Sequence, residues 1–178
     1  MYKFEPFTVA VMVDKKMGIG NGNEMLIHNP SYFEKQMQIM VNHPIIMGRI
    51  TYERFPWDKV SDSVARRVLL LSETIKPQNG VEVFRTVKEL VEAAPKRAFV
   101  IGGEKVYRSL LPYCDTVLAC HVDIELPADK IFPAVLGKDP KWKVCERSKC
   151  FKGPHKMDVS YRYVTYRRDN FIEPVRRA

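Results

Sequence analysis

The sequence predicts one α/β domain: a mostly parallel sheet with helices on both faces and an antiparallel C-terminal end. Three observations carry this. Phe7–Val13, His43–Gly48 and Ala98–Ile101 contain short, continuous apolar runs, the pattern of strands buried on both faces. The second and third stop at glycine and continue as helix-like segments, so strand and helix alternate along the chain. Trp142–Arg147 and Val159–Tyr166 follow one another as strands with no helix between them, which makes an antiparallel pair.

In chain order, Phe7–Val13 reads as a central strand closed by Asp14-Lys15-Lys16. Gly18–Asn23 is rich in glycine and asparagine, which tolerate positive φ, and reads as a mobile loop at the carboxyl end of that strand. Asn29-Pro30 supplies an N-cap and a first-turn proline for a helix running to about Asn42, with Phe33, Met37 and Met40 along one face. His43–Gly48 is the next strand, and a helix begins near Thr51. At its head Arg49 stands where a planar guanidinium can grip a phosphate; pairing with a surface carboxylate is the alternative. Arg66–Ser72 and Val81–Phe84 read as strands, Val87–Ala94 as an amphipathic helix and Thr116–Val122 as a strand. Between them, Gly102-Gly103 ends an apolar strand and opens a helix. A backbone without side chains there lets a flat or anionic ligand approach, so the turn fits a nucleotide site or simple punctuation.

Composition narrows the classes. With 46% hydrophobic residues over 178 positions and no long uncharged apolar run, the chain fits one domain without a membrane span or signal peptide, hence a cytoplasmic monomer. Its 29 basic against 21 acidic residues are scattered in doublets and form no stripe alternating with aromatics, so no nucleic-acid partner is expected. Cys114, Cys120, Cys145, Cys150 and the four histidines make no ligand spacing, so no metal is expected. Residues 170–178, with Pro174 and Arg176-Arg177, read as a peripheral tail to a domain spanning 1–169.

Taken together, Ala10–Asp14, Gly18-Ile19, Pro44–Glu53, Arg66–Ser72, Val100–Tyr107, Leu111-Pro112, His121–Asp123 and Phe132-Pro133 resemble the dihydrofolate reductase family from Thr8 to Tyr166. The resemblance implies an eight-stranded sheet, NADPH across the carboxyl ends of its strands, and a small-molecule folate or pterin substrate. By position it assigns Gly48, Arg49, Ile50 and Thr51 to the cofactor's adenosine-side phosphates, and Leu71 and Ser72 to the edge of its adenine and 2′-phosphate site. Ile101, Gly102, Gly103, Glu104, Lys105, Val106 and Tyr107 fall at the diphosphate and nicotinamide turn. Ala10, Met17, Gly18 and Ile19 fall around the nicotinamide, with Gly18–Met25 as a flexible lid. Arg66 falls where an arginine holds the α-carboxylate of the glutamate tail.

The departures concern the chemistry. Counting back from Arg49, the resemblance places a pocket carboxylate at position 32, which is Tyr32, a phenol that is neutral at pH 7 with an ordinary pKa of about 10. Glu34 lies about 200° around the helix from it. Cys120 stands at the position of the acid's threonine partner, Ile27 at that of a lid tryptophan and Gln36 at that of a substrate-packing aromatic; Phe33 follows Tyr32 on the substrate side. Glu73 beside the 2′-phosphate edge opposes a phosphate. The reading is reduction of 7,8-dihydrofolate to tetrahydrofolate by hydride transfer. The alternatives are a reductase of another pterin or pyrimidine on this fold, and a binding protein with reduced turnover.

Overall fold

In the computed structural model, residues 5–60, 67–76, 80–93, 95, 97–152 and 159–168 are described. Arg66 and the expected tail at 170–178 lie outside them. The elements are β1 (Phe7–Val13), β2 (Gly18–Asn21), β3 (Glu24–Met25), α1 (Pro30–Met40), β4 (Ile45–Gly48), α2 (Arg49–Arg54), β5 (Val68–Leu71), β6 (Val81–Phe84), α3 (Val87–Ala93), β7 (Phe99–Val100), α4 (Glu104–Leu110), β8 (Cys114–Val122), β9 (Lys130–Ile131), β10 (Trp142–Arg147) and β11 (Tyr161–Arg168).

An eight-stranded sheet in the order β10-β11-β8-β1-β7-β4-β5-β6 organises the chain. Its middle is parallel: β1 pairs with β7 and β8, β4 with β7 and β5, and β5 with β6. β11 runs antiparallel to β8, and β10 to β11, as the two consecutive C-terminal strands predict. Every residue of β1 except Thr8 is buried, and all of β4 is, which is why both read as unbroken apolar runs. The late strand β7 inserts between β1 and β4, so the sheet changes its winding direction there. The carboxyl ends beside such a switch form a crevice in open α/β sheets.

Helix α1 starts where the sequence places it. Asn29 accepts the Tyr32 amide on Oδ1 at 3.0 Å, Pro30 occupies the first turn, and Tyr32, Gln36 and Met40 form the buried stripe. The Asn29 Nδ2 also donates to Val159 O at 3.1 Å, tying the helix start to the entry of β11.

The Gly18–Asn23 segment differs from the loop expected. Residues 18–21 form the central strand of a second, three-stranded sheet, β3-β2-β9. Asp129 accepts the Gly22 amide at 2.9 Å and donates its own amide to Gly20 O at 3.1 Å. One partner, β9, is more than a hundred residues away, the other, β3, is only two residues long, and a four-residue glycine-rich strand has no apolar alternation to announce the pairing. Asp14 fixes the other end of this segment: 1% exposed, its carboxylate accepts the amides of Lys16 at 2.8 Å, Gly18 at 2.7 Å and Leu126 at 3.1 Å.

Candidate active site

Two glycine turns meet at the crevice. Gly48, at the end of β4, donates its amide to Gly102 O at 2.8 Å. A methyl group on Gly48 would fall 2.9 Å from Val106 Cγ2, and one on Gly103 would face Thr51 Oγ1 at 3.6 Å. Gly102 has φ +111°, a conformation open to glycine, and a Cβ there would press on the Tyr107 ring at 3.0–3.1 Å. The peptide joining Gly102 to Gly103 is cis. Tyr107 is buried, which pushes its phenol far up, and its hydroxyl donates to Ala10 O at 2.8 Å, locking α4 to the middle of β1. Ile101 packs into the apolar cluster that contains Ala10 and Met47. Met17 is buried at φ +65°, and its carbonyl accepts the Phe132 amide at 2.8 Å; Ile19 packs on the same core from β2. A Cβ on Gly18 would strike Ala128 and Leu26, each at 2.8 Å, so β2 is closely packed at its start.

Several expected cofactor contacts are already engaged. Arg49 Nη1 donates to both carboxylate oxygens of Glu53, at 3.0 and 2.9 Å, so the carboxylate alternative for Arg49 is present in this structure. Ile50 beside it is exposed. The Ser72 hydroxyl accepts the amides of Thr74 at 3.4 Å and Ile75 at 3.2 Å, capping its own turn. The side chain of Glu104 turns to Arg108 at 3.3 Å and the Ile131 amide at 3.4 Å, while Lys105 is exposed. A cation that the sequence reading missed stands at the same edge: Arg85, directly after β6, donates through Nη1 to Ser72 O at 2.7 Å. The available signal was its place after a strand parallel to the one ending at Leu71. Arg67 holds Glu82 by Nε at 2.5 Å and Nη2 at 3.0 Å, which lowers the pKa of that carboxyl group.

On the other side of β1, Tyr32 and Cys120 come together with Met12, Ile27, Val122 and Tyr161 in one buried cluster, with Phe151 and Tyr163 packed against it. The two positions that the resemblance pairs as acid and partner are therefore neighbours. Tyr32 stacks on Tyr163 with centroids 6.2 Å apart, and burial drives its phenol well above the ordinary range, with Cys120, Tyr107 and Tyr163 adding to the push. Burial raises the Cys120 thiol as well. Both are neutral at physiological pH. Glu34 points to solvent, and Glu24 pairs with Arg54. Asp14 is the one buried carboxylate among the described residues, and it is committed to three backbone amides. Phe33, a turn face away, meets Phe55 at 6.0 Å, toward α2. Gln36 is buried beneath α1.

The family model described as dihydrofolate reductase matches residues 7–168, the whole span of the eight-stranded sheet. The dihydrofolate reductase of Bacillus subtilis (strain 168) is 27% identical over 163 residues, covering 89% of this chain and 92% of that one. That of Buchnera aphidicola is 28% identical over 144 residues, with 80% and 87% covered. That of Neisseria meningitidis serogroup A is 27% identical over 164 residues, with 90% and 97% covered. Across so full a span, with the two joined glycine turns in place, the chain belongs to the dihydrofolate reductase family.

Proposed function

We propose that this member of the family reduces 7,8-dihydrofolate to tetrahydrofolate with NADPH. The observation that carries the reading is the pair of glycine turns locked by the Gly48–Gly102 hydrogen bond, whose backbone lies bare where side chains at 48 and 102 would fill the space. The residues fit a dinucleotide: Thr51 and Gly103 face one another, Arg49 offers a planar fork, and Arg85 adds a cation at the Ser72 edge that offsets Glu73. Bound there, NADPH would supply the hydride.

The chain's own groups do the rest. Tyr107, committed to Ala10 O, holds β1 and α4 in fixed relation at the Gly102-Gly103 turn that would receive the cofactor. The β2–β3 segment, stitched to Asp129 and anchored by Asp14, holds Met17 and Gly18 beside the end of β1, where the nicotinamide would lie. Tyr32 keeps its proton at neutral pH and offers a hydroxyl without a charge, so the proton for the ring comes through water and not from a carboxylate at this position. Arg66 is the proposed holder of the glutamate-tail carboxylate.

Turnover of NADPH with and without dihydrofolate tests the proposal: oxidation that depends on dihydrofolate is expected, slow at neutral pH. The neutral wall around Tyr32 favours a second reading, reduction of another pterin or of a pyrimidine. NADPH binding with no dihydrofolate turnover, even in Tyr32→Asp, would select it.

A further inference from the structure

A groove opens on the flank of α1 that faces away from the crevice. Phe33 turns toward Phe55 at the end of α2, whereas Lys35, about 200° farther round the helix, and Ile39, one turn after it, look onto the sheet where β8, β11 and β10 lie side by side. The groove holds about 230 Å³. That is below the roughly 300–1,000 Å³ of pockets for drug-sized ligands, so it suits a molecule of amino-acid size. Its floor is one row across three strands: Leu118 of β8 pairs with Thr165 of β11, and Thr165 with Glu146 of β10, which puts the three side chains on the same face. Leu118 and Thr165 are half-buried, and β10, the edge of the sheet, is exposed at every residue after Trp142. Tyr163 and Ser148 form the next row, tied by the Tyr163 amide donating to Ser148 Oγ at 2.9 Å. That hydroxyl is itself spent on Lys149 O at 2.7 Å, whereas the Thr165 hydroxyl bonds to no other described residue.

The two walls carry opposite charges that do not meet. Lys35 sets its Nζ 4.1 Å from the centre of the Phe151 ring and 4.9 Å from that of Tyr163. Glu146 stands on the opposite wall, and neither group forms an ion pair with another described residue. They are the one base and the one acid lining the groove; Arg167 and Lys143 pair one row farther out. Glu146 lies one strand across and two residues along from Tyr163, the ring that Lys35 overhangs. Strands about 4.8 Å apart and a two-residue step of about 6.7 Å make that separation roughly 8 Å. An α-amino acid has the same span when held at both ends: its ammonium nitrogen and carboxylate carbon are about 2.5 Å apart, with a charge-assisted bond of about 2.8 Å on either side.

We propose that this groove is a second binding site, apart from the crevice, for a free aliphatic α-amino acid. Lys35 holds the carboxylate and Glu146 the ammonium, while Ile39 and Leu118 take the side chain and the Thr165 hydroxyl adds a bond. The site stands whatever the crevice reduces. The test is titration of the full chain with L-leucine, followed by two-dimensional amide NMR. Shifts are expected to saturate with a Kd of roughly 1 mM and to cluster on Lys35–Ile39, Leu118, Glu146–Ser148 and Tyr163–Thr165. L-Leucinamide, which lacks the carboxylate, and N-acetyl-L-leucine, which lacks the ammonium, are each expected to bind about tenfold or more weakly. Lys35→Met should weaken leucine about tenfold or more and leave leucinamide no weaker than in the parent; Glu146→Gln should weaken leucine as much and leave N-acetyl-leucine no weaker. Melting curves show that each variant is folded, and one folded variant is enough for the test. No saturating shift in the groove at about tenfold above that concentration, parent-like leucine binding in either folded variant, or an analogue that binds as well as leucine overturns the proposal.

Discussion

Replacing Arg49 with alanine separates the two roles that the structure allows it. A charge-assisted hydrogen bond to phosphate is worth about 1.5–3 kcal/mol. Before Arg49 can make it, the guanidinium gives up its contacts to Glu53, an i,i+4 pair whose side chains are 43% and 48% exposed. Exposed pairs of that kind are worth only about 0.3–0.5 kcal/mol. The phosphate contact wins by roughly 1–2.5 kcal/mol, so Arg49→Ala should raise the Kd for NADPH by about 5- to 70-fold. Glu53→Gln removes the competitor and should tighten NADPH by up to about 2-fold. In Arg49→Ala the Glu53 substitution should have no further effect, because its influence runs through the guanidinium. Isothermal titration of the four proteins completes the cycle, with NADH as the control lacking the 2′-phosphate. Unchanged NADPH affinity in Arg49→Ala would refute the reasoning, as would equal affinities of the parent for NADH and NADPH.

Four further outcomes are expected. Tyr32→Asp should raise dihydrofolate turnover by about 10²–10⁴-fold, most at low pH where the new acid is protonated; a steady-state pH profile that stays flat would remove the proton-delivery argument. Gly102→Ala forces a Cβ onto the Tyr107 ring at positive φ and should cost about 1–3 kcal/mol, read as a lower Tm and weaker NADPH binding together. Asp14→Asn loses the charge shared by three backbone amides, about 1.5–3 kcal/mol, and limited proteolysis should then cut between Lys15 and Met25 faster than in the parent. The buried Cys114, Cys120, Tyr32, Tyr107 and Tyr163 all have raised folded-state pKa values, so the unfolded chain loses these protons first. Their contribution to stability is full below the ordinary thiol value of 9.0, declines as pH passes that and the phenol value of 10.0, and should appear as a falling Tm in alkaline melts.

What could be read from the chain is what local pattern encodes. β1 and β4 are unbroken apolar runs because both faces of each are covered, and the Asn29-Pro30 start of α1 is a signal contained in two residues. The neighbourhood of Tyr32 and Cys120 followed from positions matched to a family, and burial agrees with it. What escaped reading depends on partners remote in sequence. β2 looked like a loop because its four residues show no apolar alternation, its neighbour β3 is only two residues long, and its other partner β9 lies more than a hundred residues on. Arg85 reaches the Ser72 carbonyl only because β5 and β6 end side by side, and Lys35 reaches the acid position only through the rings of Phe151 and Tyr163, which arrive with the last strands. The Arg49–Glu53 pair was open to reading, since four residues apart on a helix is hydrogen-bond range.

The bond from Asn29 to the Val159 carbonyl has a consequence for the order in which the molecule is made. The glycine turns, Arg49, Thr51, Arg85 and Tyr107 all come from residues up to 107, so that half of the crevice is complete in sequence before the rest has left the ribosome. The wall around Tyr32 is not: its start is tied to the entry of β11, its floor is β8, and Tyr161 and Tyr163 belong to β11, the last strand among the described residues. During synthesis the dinucleotide side can therefore be assembled while the ring pocket still lacks a wall, and the pairing of β11 is the step that gives the chain somewhere to put a substrate.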